Sequence, residues 1–319
     1  MAGHNFNIDR EIFNGLSNPG FGANKENAAK KNKNSFKCCD ELKELGHKYG
    51  IRLFSSSGHV LEFSEVLTGA VLYCQANSEL SFLDYFNLIK YCEYAYYNRC
   101  NNDLNKPIRY AGIGSRKTPE PILEIMYYLA RCLAHDNVCL VSGGADGADS
   151  AFAEGFRDYI MDKRAIQGFG VADCAEMMRE QLNIIRPEKA SMNGLNLAWQ
   201  LLGDEHWKKC DLFARLCHGR NIDIITGKMV NNEICHTLTN LKEKQQLQPN
   251  RVRFVVCWTE GGRAVGGTAT GIRIANELGI MVYNLYNPST LDKIKEYIDY
   301  KTAQIATSLA NVSNRLNGD

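Results

Sequence analysis

The chain has 319 residues, 45% of them hydrophobic and 23% charged, with 37 Lys and Arg against 36 Asp and Glu for a formal net charge of +1. This composition excludes a wholly disordered or collagen-like chain, and the length suffices for one large domain or two of about 100–200 residues with a real core. The balanced charge demands no broad polyanion-binding surface, although it leaves room for a local patch.

No run of about 18 apolar residues occurs, so neither a membrane span nor a membrane partner is expected. The opening MAGHNFNIDREIFNG has no apolar signal core. Twelve cysteines with no C-x-x-C pair read as reduced, mostly buried thiols of a cytoplasmic protein, in a cell or an infected host.

The first forty residues are polar and rich in Asn and Lys. Lys25, Lys30, Lys31, Lys33 and Lys37 are opposed only by Glu26. The segment reads as a solvated arm, with a nucleic-acid-contacting tail as the alternative. Residues 38–48 read as helical, and Ile51 to Phe54 as a short strand before the turn-prone Ser55 to Gly58. From Glu79 to Arg99, Leu80, Leu83, Phe86, Tyr91 and Tyr94 recur at helical spacing. That stripe, with Tyr85, Tyr96 and Tyr97, reads as core rather than as a platform for bases. Asn101 to Lys106 is polar and ends at Pro107, where we place a domain boundary. Residues 1–106 would be a polar arm plus a smaller, mainly helical region, and 107–319 the main domain.

After Pro107 the pattern becomes strand, Gly-rich loop, helix, repeated. Ile108 to Ile113 is a strand, Gly114 to Thr118 a loop, and Pro119 suits a helix start. Ile122, Leu123, Ile125, Met126, Leu129 and Leu133 form the apolar face of that helix. Val138 to Val141 is a second strand, followed by a helix from Ala148 to about Asp158. Val252 to Trp258 is a third strand, with a helix from about Thr268 to Leu278. Ile280 to Leu285 is a fourth, and Leu291 to Tyr300 begins a last helix. Alternation of this kind predicts an α/β fold, a Rossmann-like, mostly parallel sheet flanked by helices. The stretch 159–211 reads as an insertion in the sheet domain with helical pieces near 172–182 and 196–202.

In such sheets ligands bind beyond the carboxyl ends of the strands. Three Gly-rich loops hold that position: Gly112 to Arg116, Ser142 to Asp149 and Gly261 to Thr268. Each precedes a helix, so exposed amides and the helix dipole would favour a phosphate. Arg220-Asn221, read as a loop, would place an arginine that clamps a phosphate; its alternative is a surface ion pair. Asp146 and Asp149 flank the second helix start, as ligand acceptors or as caps. A third glycine is missing at Lys117, so the dinucleotide fingerprint is broken, and neither a P-loop nor a G-x-S-x-G elbow is present. Cys217-His218 and Cys235-His236 fit no usual zinc spacing. No metal and no cofactor are expected.

Four segments together resemble the SLOG superfamily, the Rossmann-like group that includes the Smf/DprA DNA-processing proteins, the YspA-type proteins and the Lonely Guy phosphoribohydrolases. They are GIGSR at 112–116, LVSGGADGADSAFAEG at 140–155, GRN at 219–221 and GGTATGIRIA at 266–275. The S-G-G-A-x-G-A-D block looks most like the YspA and DprA branches. The resemblance implies a pocket lined by Gly112, Gly114, Ser115, Arg116, Ser142, Gly143, Gly144, Ala145, Asp149, Arg220, Asn221, Gly266, Gly267 and Thr268. The phosphoribohydrolase branch carries P-G-G-x-G-T-x-x-E, and here Val265, Ala269 and Arg273 stand for the proline, the third glycine and the glutamate. That leaves only Asp146, Asp149 and Glu260 as candidates for a catalytic carboxylate. The leading expectation is a module that senses or sequesters a phosphorylated, nucleotide-class small molecule. The alternatives are a DprA-like mediator that binds single-stranded DNA and a nucleotide N-glycosidase. A homo-oligomer is compatible with each.

Overall fold

A computed structural model of the chain describes residues 81–87, 89, 108–227, 251–264 and 266–316. The lysine-rich arm, the expected helix at 38–48 and strand at 51–54, Leu80, Tyr91, Tyr94, Tyr96 and Tyr97 of the aromatic stripe, Cys235-His236 and Val265 lie outside the described residues.

Among these residues five short strands form one sheet: β1 (Arg109–Gly112), β2 (Cys139–Ser142), β3 (Leu182–Ile184), β4 (Phe254–Cys257) and β5 (Met281–Asn284). All four pairings are parallel, in the order β3-β2-β1-β4-β5. Ala111 of β1 stands opposite Val141 on one side and Val255 on the other. Residues 82–87 are helical, and from β1 onward eight α-helices accompany the strands among the described residues: α1 (Glu120–His135), α2 (Ala148–Gln167), α3 (Val171–Gln181), α4 (Met192–Leu202), α5 (Asp204–Lys209), α6 (Leu212–Thr226), α7 (Gly266–Glu277) and α8 (Pro288–Leu316).

Alternation along each strand sends side chains to two cores. Tyr110, Leu140, Phe254, Val256 and Tyr283 pack with Met126 and Leu129 of α1, Phe152 and Phe156 of α2, and Ile294 and Tyr297 of α8. Ala111, Val141, Val255 and Cys257 face the other way, onto Leu197 of α4, Ile222 and Ile225 of α6 and Ile272 of α7. The sheet is therefore covered on both faces, which is why its strands read as continuous apolar runs rather than alternating ones. This is the expected α/β, Rossmann-like architecture. Residues ahead of Pro107 share its first core. Phe82, Tyr85, Phe86 and Ile89 are buried there, and the Phe82 ring meets those of Tyr283 and Tyr297 edge-on at 4.9 Å. These positions of the aromatic stripe are core.

The structure adds to and corrects the elements in three places. α2 runs on to Gln167, where Gly168 ends it in the left-handed conformation. The stretch 159–211 supplies β3 as well as helices, so it completes the edge of the sheet. Arg220 and Asn221 lie within helix α6, not in a loop. Asp211 starts that helix by accepting the Ala214 amide at 2.7 Å, and Gly227 ends it. Every residue from His218 to Thr226 is buried, so α6 carries no amphipathic stripe from which a helix could be read.

The chain builds outward from β1 through β2 to β3, then crosses back to lay β4 on the other side of β1. The carboxyl ends of β1 and β4 flank this reversal, where open α/β sheets bind their ligands.

Candidate functional site

The loops after β2, β1 and β4 leave adjacent strands and meet. The β1 loop is closed by Ser115, whose carbonyl accepts the Thr118 amide at 3.2 Å and hydroxyl at 2.7 Å, and whose Oγ accepts the Lys117 amide at 3.0 Å. A Cβ at Gly114 would lie 2.5 Å from the Ala148 Cβ and 3.6 Å from the Trp258 nitrogen. The three turns therefore touch around Gly114.

At their centre sits Asp149, in the first turn of α2 and 3% exposed. Its Oδ2 accepts the Ala145 amide at 3.2 Å, and the amides of Gly114 and Gly143 also donate to this carboxylate. Arg220 of α6 reaches it from across the site, with Nη1 3.5 Å from Oδ2. Burial pushes the Asp149 pKa above its ordinary value, opposed by Arg220 and by the three amides. Backbone amides from separate loops do converge on an anion, but that anion is the protein's own carboxylate.

Arg220 is itself 8% exposed, and its guanidinium lies against Gly143, where a Cβ would fall 1.6 Å from Nη1. Its Nε is buried without a hydrogen-bond partner. The arginine is thus a buried ion-pair member with spare donor capacity, not a surface residue. Next to it, Asn221 Nδ2 donates to the Gly267 carbonyl at 2.6 Å and fastens the start of α7. Gly266 and Gly267 are exposed there and Thr268 is half-buried.

Two expected ligand contacts are taken up by packing. The Ser142 hydroxyl is buried and donates to the Gly112 carbonyl at 2.6 Å, tying β2 to β1. Gly112 leaves its space to Phe152, whose ring a Cβ would meet at 2.7 Å. Arg116, Asp146 and Glu260 are exposed at the rim, and Ser115 and Ala145 are half-buried. Glu260 sits in a short 3₁₀ turn, Glu260–Gly262.

Gly144 is held at φ +67, and a Cβ there would meet Ile184 at 2.7 Å. Left-handed backbone costs an L-residue about 1–2 kcal/mol. Gly144→Val is therefore expected to lower stability by at least that amount without any ligand. Chemical denaturation of the unliganded variant measures it, and wild-type stability would show that the loop relaxes freely.

Comparison with family models, with curated proteins and with solved structures gave no match. The reading therefore rests on the geometry.

That geometry includes residues the motifs did not single out. Tyr286, just past the carboxyl end of β5, is 49% exposed, and its ring centroid is 6.4 Å from that of Trp258 at the end of β4. Asn284 joins these two loops: its Nδ2 donates to Thr259 Oγ1 at 2.7 Å and its Oδ1 accepts the Tyr286 amide at 3.1 Å. Only their positions past strand ends signal them. A second group lies where the end of α5 meets α6. His218 does not pair with Cys217; it groups with His206 and Cys210, whose ligand atoms and its own all lie within 4.8 Å of one another. Burial, then His206 and Arg273, hold the His218 imidazole below its ordinary pKa.

Proposed function

We propose that the protein is a SLOG-type module that binds a phosphorylated, nucleotide-class small molecule at the carboxyl ends of β2, β1 and β4. The observation that carries this reading is the buried Arg220 guanidinium, which has an unpartnered Nε at the meeting point of three glycine-rich turns. A buried guanidinium with idle donors recognises a planar or tetrahedral oxyanion, because its fork matches such oxygens in a bidentate fashion. The start of α7 adds free amides and a partial positive charge. Arg116 is exposed on the β1 loop and supplies a second cation. Tyr286 offers an aromatic face to a base, with Trp258 behind it.

Asp149 makes this site a competition. An incoming oxyanion draws on Arg220 while the carboxylate loses part of its cationic partner. Binding of a fully ionised anion should therefore strengthen as pH falls through the raised pKa of Asp149, since protonation frees the guanidinium. The Asp149 carboxylate is engaged by amides and by Arg220, which leaves it no free oxygen to act as a base.

Calorimetric titration with AMP and with inorganic phosphate tests the reading. Arg116→Ala should weaken both by about 1.5–3 kcal/mol, roughly tenfold to a hundredfold, the worth of a charge-assisted hydrogen bond. Tyr286→Ala should weaken AMP while leaving phosphate unchanged. Unchanged affinity in Arg116→Ala removes the assignment. Binding of a single-stranded oligonucleotide with steep salt dependence, in place of AMP, would transfer the site to the DNA-binding alternative.

A further inference from the structure

We propose that His206, Cys210 and His218 form a binding site for a borderline-soft divalent cation of the Zn²⁺ class, with one coordination position left open to solvent. The site is separate from the anion pocket and does not depend on it.

The placement begins with α5. His206 lies in α5, and Cys210 is the extended residue immediately past its end, with its Sγ 3.4 Å from the His206 carbonyl. The end of this short helix is fastened to α6. The Cys210 amide donates to the Trp207 carbonyl at 3.2 Å, the Arg215 Nε donates to the same oxygen at 3.2 Å, and the Arg215 guanidinium lies over the Trp207 ring at 5.4 Å. His218, one turn further along α6 than Arg215, then faces the pair from α5. The three ligand atoms lie within 4.8 Å of one another. A tetrahedral Zn²⁺ with bonds of about 2.0–2.3 Å holds its ligand atoms roughly 3.5 Å apart. Closing the remaining gap of about 1 Å is within reach of a side-chain rotation at His206, which is exposed.

His218 also has the outer partner that a metal-bound imidazole needs. Its Nδ1 is 2.7 Å from the Thr270 hydroxyl of α7, and Thr270 is fully buried. With Nδ1 donating to that oxygen, Nε2 carries the lone pair and is the atom left for a metal. Such outer hydrogen bonds fix the tautomer and the ring orientation of zinc-binding histidines. The two imidazoles and one thiol favour zinc-like cations over Mg²⁺ or Ca²⁺, which prefer oxygen. Cys210 at present makes only a weak bond from Sγ to the His206 carbonyl, at 3.4 Å, which metal binding would replace. Three protein ligands are fewer than a closed structural site uses, so a fourth position would remain for water or another molecule. His218 precedes Asn221 by three residues, and both turn to α7. The cation would therefore lie about one helical turn from the anion pocket.

The experiment uses chelator-treated full-length protein, titrated with Co²⁺ as a spectroscopic probe and then challenged with Zn²⁺. One Co²⁺ per chain should bind, with a thiolate-to-cobalt charge-transfer band that Zn²⁺ abolishes. Cys210→Ser should lose the band, and His206→Ala should weaken binding by roughly tenfold or more. Both positions are at least partly exposed, so circular dichroism and melting should confirm that the variants fold. Cys217→Ser should keep the band. Absence of binding to the wild type overturns the proposal. So does a band that survives Cys210→Ser, or one lost only in Cys217→Ser.

Discussion

Arg220→Met is expected to lower stability by about 3 kcal/mol at neutral pH and to abolish phosphate binding. The arginine is the cation beside a carboxylate that is 3% exposed. Removing one partner of a buried pair typically costs 3–5 kcal/mol, because the other charge is left without compensation. Here protonation sets a ceiling. Neutralising an aspartate of ordinary pKa at pH 7 takes about 4 kcal/mol at 1.36 kcal/mol per unit, and Asp149 starts from an already raised value. The amides of Ala145, Gly114 and Gly143 also remain as donors. Methionine fills the apolar stem's volume, so little of the loss should be cavity.

The pH dependence distinguishes this cause from simple packing. Because the folded-state pKa of Asp149 is raised, its ionised form is disfavoured by folding. The protein gives up stability as pH rises from the ordinary aspartate range through that raised value. Without Arg220 the pKa rises further, so the loss extends over a wider pH span. The deficit of Arg220→Met relative to wild type should therefore shrink as pH falls. Adding Asp149→Asn should recover most of the stability at neutral pH, since the amide oxygen still accepts from the loop and carries no charge. It should not recover phosphate binding. A double variant no more stable than Arg220→Met, with a deficit independent of pH, would mean that the pair contributes nothing and that packing alone was lost.

The sheet was legible because its strands are buried on both faces. Ile108 to Ile113, Val138 to Val141 and Val252 to Trp258 are mostly apolar stretches with glycine within three residues of their ends; the first and third contain β1 and β4, and the second covers all of β2 but Ser142. β3 escaped notice because Leu182–Ile184 is three residues long, half-buried and follows α3 without a break. α6 escaped for the opposite reason. It is buried all round over its second half, and Ile222, Ile224 and Ile225 imitate a strand. The site was legible at the level of which loops meet, because glycine-rich turns at strand ends leave adjacent strands. It was not legible which anion the turns hold. The spacing that puts Asp149 one turn into α2 serves a helix start, a ligand contact and an internal carboxylate equally well, and only Arg220, placed by a helix from the far side of the sequence, decides among them. The His206, Cys210 and His218 group was hidden because its members are divided among α5, the residue past its end and α6 rather than one motif.

Gly155→Ala should cost about 2 kcal/mol even though alanine is the better helix former. A Cβ at this position of α2 would come 2.1 Å from the Tyr127 carbonyl oxygen and 3.0 Å from the Tyr127 Cα. Those are backbone atoms of α1, which have no rotamer to escape into. Reaching the 3.4 Å of an ordinary contact requires the two helices to move apart by more than 1 Å. They are clamped on both sides of that point. Met126 and Leu129 of α1 share a core with Phe152 and Phe156 of α2. Outside it, Tyr127 donates to Asp158 at 2.8 Å and Arg131 pairs with Asp162. Overpacking of this kind costs about 1–3 kcal/mol or more, against about 1 kcal/mol returned by propensity; an upper-range cost is expected where backbone meets backbone. Gly155→Leu should lose several kcal/mol more, whereas Glu154→Ala, exposed one residue earlier, should stay within about 0.5 kcal/mol of wild type. The consequence extends to the site. Asp149 lies six residues before Gly155, about 9 Å along the same helix, so a tilt of α2 would move the carboxylate away from Arg220. Phosphate affinity should fall in Gly155→Ala although the new methyl lies outside the pocket. A variant as stable as wild type would show that α1 and α2 separate freely, and that the seat of Asp149 is not set by this contact.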